Sequence, residues 1–586
     1  KAIELEKKKV VSSDNDTPAL VDDHSIDAKS LTLAFHGRTK IDEVSVGKSV
    51  IVVAKDCCYG VDFVTGEPIW RRVIGFDTPF FPLQEAQLPS VVLFDTNNLE
   101  LVRLNQTTGQ LVWRLPINDF AFGQPLLVDK TVYLSTESGR LLAVDLETGL
   151  LAGELQFSQP ISGPVQLKDD QYLFVAGNEE VSYTLSKRPF ACTQVSYLGH
   201  QPASIAAPLL EMGPYVLMIE NKTDSASLRL LDVSDPKVAV TQVSSETVGS
   251  RVIDQPVIRG RNLFVPATGE SIHVFAISDD PGQPPMTTGP IFDGQGTKGE
   301  SINLLTGPNG QVWMSTDALN RLQLTTDSLQ PDGNPSAAGI ATQPLQMVSG
   351  FLLNARRRPF TDAVTFTRTN REDMTSDWQS VLGGKLLATT GSSGDSINMA
   401  SVNEAGHVFR IGSKQLADGK FVTDATVRLP LNPDLETPLI GAAVAGNRLA
   451  VACGNPEPRL WIINAAGQIE GSPRIPEPLQ ASPSSIGDRI VLPMKGRLSV
   501  ARLSGQAAVQ DFILPSGEEQ EWRSVVPAGE DQVVAVTKSG LVLLLKLQAS
   551  PRPHLSEVAR LELGAKVLFE PAANDKMVAI VDASKK

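Results

Sequence analysis

Short hydrophobic segments alternate with polar turns along most of the chain. Leu263–Val265 is followed by His273–Phe275, and Leu449–Val451 is followed by Leu460–Ile462. Each pair predicts two strands around a Gly, Pro or polar turn. The segments are rich in Val, Leu and Ile, and turn residues interrupt them about every ten residues, which favours strands over the helices of a solenoid. The pattern therefore predicts an all-β protein.

One turn sequence recurs near the start of this pattern. It first occurs in Val61–Trp70, it returns in Leu104–Trp113, and a third copy covers Val144–Gly149. The glycines of successive copies are 43 and then 40 residues apart. Asp or Asn can bond its own backbone two residues on, and Gly supplies the positive φ of a tight hairpin turn. A repeat of this length is typical of propeller blades.

The repeated positions are the structural motif residues that we expect to define a blade. They are Asp62, Thr65, Gly66, Trp70, Asn105, Thr108, Gly109, Trp113, Asp145, Thr148 and Gly149. Strand-like openings continue to the C-terminus, most of them about 40 to 50 residues apart, and they number about a dozen. One propeller usually has four to eight blades, so the fold class predicted is tandem β-propellers of four-stranded antiparallel blades.

The number of predicted blades divides the chain into three segments. Residues 1–34 are charged and polar, and we expect a linker or a helical stub around Glu4–Lys9. Residues 35–310 are predicted to form the first propeller and residues 311–586 the second. The second is expected to be incomplete at its C-terminus, since Met577–Asp582 resembles the opening strand of a blade that stops before its turn. We therefore expect the parent chain to continue past Lys586.

The longest departure from the repeat spacing covers Asn354–Leu382. It includes the basic run Arg356–Arg358 and the polar run Asn370–Met374. We expect an insertion here, which could carry a partner contact. Guanidinium groups can grip a phosphate or a carboxylate, but adjacent arginines are more often a solvated loop.

The turn pattern of Asp62–Trp70, with its variants at Asn105–Trp113 and Asp145–Gly149, resembles the PQQ-like β-propeller repeat family. The resemblance implies that the repeat tryptophans dock neighbouring blades. In the third copy Ala152 and Gly153 stand where Trp is expected, so the docking scheme is incomplete there. The family includes quinoprotein alcohol dehydrogenases and cofactor-free proteins such as the lipoprotein subunit of the bacterial outer-membrane assembly machinery. The fold alone does not choose between these activities.

Cys57 and Cys58 are redox candidates, because quinoprotein dehydrogenases of this family can carry a vicinal disulfide beside their quinone. Both residues lie on a predicted strand that leads into the first repeat turn, where small apolar residues fill a blade. A quinoprotein also needs a calcium site of carboxylate and amide oxygens, and the sequence contains no convincing cluster of that kind. We therefore expect no catalytic residue, no cofactor and no metal.

The net charge and the hydropathy of the chain exclude some classes of function. The net charge of −14 opposes binding to nucleic acid, and no apolar run has the roughly 18 to 20 residues of a membrane helix. We expect a non-enzymatic interaction or structural scaffold in a larger bacterial cell-envelope or periplasmic assembly. Its partners would be other proteins, either copies of itself or assembly subunits. Two alternatives stay open, a quinone-dependent dehydrogenase and a propeller that binds carbohydrate or another surface polymer through Trp313, Trp378 or Trp522.

Overall fold

The computed structural model describes most of the chain between residues 49 and 583, together with two short N-terminal segments. The described residues are 11–12, 35–38, 49–84, 89–205, 207–278, 280, 282–294, 301–336, 339–358, 361–392, 398–404, 406–412, 425–430, 439–446, 448–454, 457–464, 467–503, 510–515, 521–550, 552–574, 576–581 and 583. Their elements are β-strands and one short 3-10 helix, Pro308–Gly310. The predicted all-β class is confirmed. The helical stub predicted at Glu4–Lys9 lies outside the described residues.

The chain divides into two compact units. Unit 1 comprises residues 1–30, 36–359 and 364–383, and unit 2 comprises residues 31–35, 360–363 and 384–586. Within each unit the strands form separate antiparallel sheets, most of them of four sequential strands. Each such sheet is a blade, so the propeller fold expected from the repeat is confirmed.

The first strands of the chain and the first half of unit 1 are as follows. They are β1 (Val11–Ser12), β2 (Phe35–Arg38), β3 (Ser49–Ala54), β4 (Cys57–Asp62), β5 (Pro68–Val73), β6 (Leu83–Gln84), β7 (Ser90–Asp95), β8 (Glu100–Asn105), β9 (Leu111–Pro116), β10 (Leu126–Val128), β11 (Thr131–Ser135), β12 (Arg140–Asp145), β13 (Leu151–Gln156), β14 (Val165–Gln166), β15 (Tyr172–Ala176), β16 (Val181–Lys187) and β17 (Phe190–Tyr197). Blade 1 is β3–β5, blade 2 is β6–β9, blade 3 is β10–β13 and blade 4 is β14–β17.

The second half of unit 1 continues the same order. Its strands are β18 (Leu210–Met212), β19 (Tyr215–Asn221), β20 (Ala226–Asp232), β21 (Thr241–Val248), β22 (Val257–Arg259), β23 (Asn262–Ala267), β24 (Ser271–Ile277), β25 (Met286–Asp293), β26 (Asn303–Thr306), β27 (Gln311–Ser315), β28 (Leu319–Leu324), β29 (Leu329–Pro331), β30 (Ile340–Ala341), β31 (Gln346–Val348), β32 (Phe351–Arg357), β33 (Val364–Asn370) and β34 (Ser376–Leu382). Blades 5, 6 and 7 are β18–β21, β22–β25 and β26–β29, and blade 8 is β30–β34. The described part of unit 1 thus has eight blades.

Unit 2 contains four four-stranded blades and one hairpin in its described part. Its strands are β35 (Leu386–Ser392), β36 (Asn398–Asn403), β37 (His407–Gly412), β38 (Ala425–Arg428), β39 (Leu439–Ala445), β40 (Arg448–Cys453), β41 (Arg459–Ile463), β42 (Ile469–Gly471), β43 (Ser484–Ile486), β44 (Arg489–Met494), β45 (Arg497–Arg502), β46 (Phe512–Ile513), β47 (Trp522–Pro527), β48 (Gln532–Thr537), β49 (Leu541–Gln548), β50 (His554–Glu562), β51 (Ala572–Ala573) and β52 (Val578–Ala579). The hairpin β51–β52 has the position of the first two strands of a further blade. That the second propeller is incomplete stays a prediction.

The core of unit 1 lies between blades and not within them. Each neighbouring pair of blades shares its own hydrophobic cluster, from blades 1 and 2 through to blades 7 and 8. Between blades 2 and 3, for example, Leu101 and Trp113 pack with Val132 and Leu142, all of them buried. A single blade would leave both apolar faces exposed to water, so the blades are stable only when they stack around a ring.

Blade 8 packs against blade 1 and closes the ring of unit 1. The indole nitrogen of Trp378 on β34 donates a 3.0 Å hydrogen bond to the carbonyl oxygen of Phe63, which is 315 residues earlier in the chain. The Ser380 hydroxyl donates to the carbonyl oxygen of Gly66. A Cβ atom on Gly66 would lie 2.5 Å from the Trp378 ring, so only glycine fits against this indole.

A buried arginine reinforces this seam. The Arg368 guanidinium lies 4.6 Å from the centre of the Phe63 ring and 3.8 Å from that of Phe351. It also pairs with Asp377 at 3.3 Å, and both side chains are less than a tenth exposed. A desolvated guanidinium between two aromatic faces is favourable because its charge meets their negative quadrupoles. Arg368 therefore joins the first repeat turn to the last blade.

Two glutamines of the last blade bind the inner strand edge of the first. The Gln346 amide donates to the Ile51 carbonyl oxygen at 3.2 Å, and the Val53 amide donates to Gln343 Oε1 at 2.9 Å. Main-chain groups of an edge strand need partners when they are buried. The side chains of β31 and the residues before it supply those partners for β3.

The structure divides the chain later than the sequence pattern predicts. The expected boundary was residue 310, whereas unit 1 extends to Gly383. Blades 7 and 8 therefore lie in unit 1. Blade 8 closes the ring on the first repeat turn, and blade 7 packs against blade 8. The expected insertion at Asn354–Leu382 is wrong, since this stretch forms β32, β33 and β34 of blade 8. Its strands lack a clear alternation of apolar and polar residues because polar residues such as Thr367 are buried in it.

The hydrogen bond from Trp378 to Phe63 predicts an effect on stability that can be compared with the effect of the equivalent bond from Trp113. Trp378→Phe removes the indole donor but keeps most of the ring, and we expect a loss of about 1 kcal/mol of unfolding free energy. Trp113→Phe removes the same type of bond between neighbouring blades and should cost a similar amount. Chemical denaturation followed by circular dichroism measures both. A Trp378→Phe protein as stable as the parent, beside a destabilised Trp113→Phe protein, would contradict ring closure by this residue.

Candidate functional site

The first repeat turn is held by its own side chains. Asp62 Oδ1 accepts hydrogen bonds from the amides of Val64 at 2.9 Å and Thr65 at 2.7 Å. The Gly66 amide donates to the Asp62 carbonyl oxygen at 2.8 Å, and Gly66 has a φ of 76°. Thr65 Oγ1 accepts from the Glu67 amide at 3.2 Å. The aspartate, the threonine and the glycine are each required by the turn, so none is free for chemistry.

The other two predicted copies have the same geometry. Asn105 Oδ1 accepts from the amides of Thr107 and Thr108, both at 3.0 Å. Asp145 Oδ1 accepts from the Thr148 amide at 2.8 Å and from its hydroxyl at 2.7 Å. The glycines that follow, Gly109 and Gly149, have φ values of 72° and 66°. The predicted structural role of these turns is therefore consistent with their contacts.

Each repeat tryptophan contacts the turn of the next blade. Trp70 Nε1 donates to the Gln106 carbonyl oxygen at 2.8 Å, and Trp113 Nε1 donates to that of Leu146 at 2.8 Å. A Cβ on Gly109 would lie 2.5 Å from the Trp70 ring, and one on Gly149 would lie 2.5 Å from the Trp113 ring. The acceptor is in each case the residue after the Asp or Asn of the turn. The motif thus couples blades in sequence around the ring.

A fourth copy of the motif lies in blade 8 and was missed by sequence reasoning. Asn370 has the position of the aspartate, and its Oδ1 accepts from the Glu372 amide at 2.9 Å. The Met374 amide donates to the Asn370 carbonyl oxygen at 2.9 Å, and Met374 has a φ of 58° in place of glycine. Asp373 replaces the threonine and accepts from the Thr375 amide at 3.0 Å. The spacing of eight residues from Asn370 to Trp378 was the signal that could have found it.

The structure places Cys57 and Cys58 on β4, where both are buried and free. Burial, with the nearby Asp56 carboxylate, raises the pKa of the Cys57 thiol to about 12. Burial also raises the pKa of Cys58, which packs in the cluster between blades 1 and 2. A thiol is reactive as the thiolate, so these environments oppose redox chemistry at neutral pH.

The tryptophans considered for carbohydrate binding are interior residues. Trp313 and Trp522 are fully buried, and Trp378 is 2% exposed. Trp522 Nε1 donates to the carbonyl oxygen of Met494 at 2.9 Å. A sugar ring stacks only on an accessible aromatic face, so the hypothesis that these three residues bind a polymer is wrong.

Of the three adjacent arginines Arg356–Arg358, one is buried and two are exposed. Arg356 is buried on β32 and donates to Thr367 Oγ1 at 2.9 Å. Burial, together with the neighbouring Arg358, lowers the pKa of Arg356 to about 10. Arg357 and Arg358 are exposed. The three guanidinium groups therefore do not form one anion-binding cluster.

The described residues contain neither a metal-binding cluster nor a helix that could span a membrane. In that part of the chain, no group of three or more His, Cys, Asp or Glu residues is placed to hold a metal ion. None of its helical segments has the length and hydrophobicity needed to cross a membrane.

The part of the chain that contains the repeat is similar to a known protein family. Residues 54–162, which hold the three predicted copies, match the family model described as outer membrane protein assembly factor BamB. The predicted resemblance to the PQQ-like repeat family is confirmed. Among solved structures, BamB from Moraxella catarrhalis aligns with 11% identity and a TM-score of 0.43, over 60% of this chain and 99% of that one. No curated protein matches the chain.

The surroundings of two glycines predict that an added methyl group lowers the stability of the protein to different extents at the two sites. Gly109→Ala forces a Cβ into the Trp70 ring, whereas Gly213 has a similar φ of 69° and open space around it. We expect Gly213→Ala to cost about 1 kcal/mol from backbone strain and Gly109→Ala about 1 to 3 kcal/mol more from overpacking. Urea unfolding of both variants tests this. Equal losses would show that the indole does not require glycine.

Thiol burial predicts selective labelling. Iodoacetamide at pH 8 should modify the exposed Cys192 in the folded protein and spare Cys57 and Cys58, because few thiolates form and access is blocked. All cysteines should react after denaturation, which is the control. Peptide mass spectrometry reads out each site. Labelling of Cys57 as fast as Cys192, or a Cys57–Cys58 disulfide in the native protein, would contradict this account.

Proposed function

We propose that the chain is a non-enzymatic interaction scaffold, a subunit of a larger bacterial cell-envelope assembly. The observation that carries the proposal is the match of residues 54–162 to a family described as an outer-membrane protein assembly factor. The proposal places the protein in the periplasm or envelope with other proteins as its partners.

The use of the motif residues supports this proposal. The carboxylates and hydroxyls of Asp62, Thr65 and Asp145 are taken up by their own turns, and the indoles of Trp70 and Trp113 by the neighbouring blade. The polar and aromatic groups of the repeat motif therefore have structural roles. The rigid ring then offers its loops and outer strands to partners.

The thiols bear on the competing hypothesis of a quinone-dependent dehydrogenase. That enzyme would use Cys57 and Cys58 as a vicinal disulfide beside the quinone. Here each is a buried thiol with a raised pKa, and Cys58 packs in the cluster between blades 1 and 2. A scaffold has no need for an accessible disulfide at this position.

Reconstitution tests the scaffold proposal against that alternative. The purified protein is incubated with pyrroloquinoline quinone and calcium, and then assayed for bound quinone and for dye reduction with alcohols. We expect neither, while cross-linking mass spectrometry of native envelope extracts should recover a reproducible set of protein partners. Stoichiometric quinone bound with calcium, or alcohol-dependent dye reduction, would overturn the proposal.

A further inference from the structure

A small cavity opens at one end of the seam between blades 6 and 7. Its volume is about 390 Å³, within the range of about 300 to 1,000 Å³ that is usual for sites that bind small ligands. The turn between β22 and β23 forms one wall, and the turn between β26 and β27 forms the other. The cavity therefore has room for the end of a chain and not for a folded surface.

The turn between β26 and β27 is held in place by its own hydrogen bonds. The Gln311 amide donates to the Pro308 carbonyl oxygen, and the Gly307 amide donates to the Gln311 carbonyl oxygen at 2.8 Å. The Gln323 side chain on β28 donates to the Asn309 carbonyl oxygen at 2.6 Å. Asn309 has a φ of 57°, in the left-handed region that two-residue hairpin turns require. This wall of the cavity is therefore preformed.

The floor of the cavity is apolar. Phe264 is 2% exposed and belongs to the hydrophobic cluster between blades 6 and 7. Leu324 packs against the same cluster and is half-buried. Both residues line the cavity. A hydrocarbon group placed on this floor loses its contact with water, which favours binding.

The polar side chains of the cavity have no partner in the part of the chain that the structure describes. Arg259 is exposed, and its guanidinium makes neither an ion pair nor a hydrogen bond with a described residue. The side-chain amides of Asn262 and Gln311 and the hydroxyl of Thr306 also lack a hydrogen bond to any described residue. The cavity thus presents one cation and several groups that can donate or accept hydrogen bonds.

The charge of Arg259 is not balanced inside the cavity. The described residues that line it include no Asp and no Glu. The chain as a whole carries a net charge of −14, so an arginine without a neighbouring carboxylate is a local exception that attracts an anion. A guanidinium binds a carboxylate through two parallel N–H donors. The charge therefore favours a ligand with a carboxylate.

We propose that this cavity binds the C-terminal residue of a partner protein, with its carboxylate on Arg259 and an apolar side chain on Phe264 and Leu324. Asn262 and Gln311 supply donors and acceptors for its peptide groups. A chain end joins a carboxylate, a peptide group and a side chain at one residue. An internal Asp or Glu has its carboxylate at the tip of the side chain and offers no apolar group beside it. The inference rests on the proposed scaffold function and names the segment of the partner that is bound.

The main-chain amides of the preformed wall do not favour a phosphate group in place of a carboxylate. Phosphate sites usually combine several cations or a concave row of main-chain N–H groups. Here the amides of Gly307 and Gln311 bond within their own turn, and Arg259 is the one cation among the described lining residues.

Binding of short peptides to the whole chain tests the proposal. The probe is N-acetyl-Ala-Ala-Leu with a free carboxylate, and isothermal titration calorimetry measures its binding. We expect one site with a dissociation constant between about 10 μM and 1 mM, and weaker binding at high salt. The C-terminal amide of the same peptide should bind about tenfold more weakly or worse, because the guanidinium loses its charged partner. N-acetyl-Ala-Ala-Gly should also bind more weakly, because it lacks the apolar side chain.

Arg259→Gln and Arg261→Gln are a matched pair of variants. Each removes one exposed arginine from the same stretch of chain, but Arg259 lines the cavity and Arg261 does not. We expect Arg259→Gln to weaken binding about tenfold or more and Arg261→Gln to bind like the parent. Leu324→Ser should reduce the preference for Leu over Gly at the end of the peptide. Circular dichroism confirms the fold of each variant.

Four results would overturn this assignment. The first is no binding of the free-acid peptide at concentrations up to about 5 mM. The second is equal binding of the acid and the amide, and the third is a folded Arg259→Gln protein that binds like the parent. The fourth is binding of N-acetyl-leucine as tight as that of the peptide, since the ligand would then be a small free carboxylate.

Each of these results leaves the scaffold proposal standing, because that depends on the quinone assay and on partners in envelope extracts. Conversely, quinone binding would overturn the scaffold without affecting the peptide titration.

Discussion

The contact between a tryptophan and the turn of the next blade is the interaction on which the rest of unit 1 depends. In each seam of this type the indole donates to a turn carbonyl and lies flat against a glycine, as Trp70 does with Gln106 and Gly109. The turn must have its glycine in the left-handed region and its Asp or Asn side chain folded back on the backbone. Local turn chemistry and long-range packing therefore specify the same residues, which makes the motif readable in sequence.

The same contact decides how many blades share a ring. Hydrophobic clusters fill every seam from blade 1 to blade 8, but they do not by themselves fix where the ring ends. The last seam repeats the docking geometry of Trp70 and Trp113, with Trp378 against Phe63 and Gly66, and adds the buried Arg368 between two aromatic rings. The closing seam is specific, because a hydrogen-bonded indole and the buried Arg368–Asp377 pair join residues that are about 300 positions apart in the chain.

The sequence allowed the fold and three turns to be predicted, but it did not reveal the closing turn. Asp373 and Met374 occupy the threonine and glycine positions there, and a search for Thr-Gly passes over them. Their roles survive because a carboxylate can accept the same amide bond and because methionine tolerates the left-handed region at some cost in strain. Buried polar residues of blade 8, such as Thr367, hid the alternation of its strands. The carbohydrate hypothesis needs Trp378 to be accessible, but ring closure against Phe63 buries it, and the local sequence pattern does not contain that information.

Ring closure by Trp378 is tested most directly by magnetic resonance of the whole protein with labelled tryptophan and glycine. The account predicts a nuclear Overhauser contact between the Trp378 indole and Gly66, and slow solvent exchange of the Trp378 indole proton, as slow as that of Trp113. A missing contact together with fast indole exchange would contradict the closed eight-blade ring.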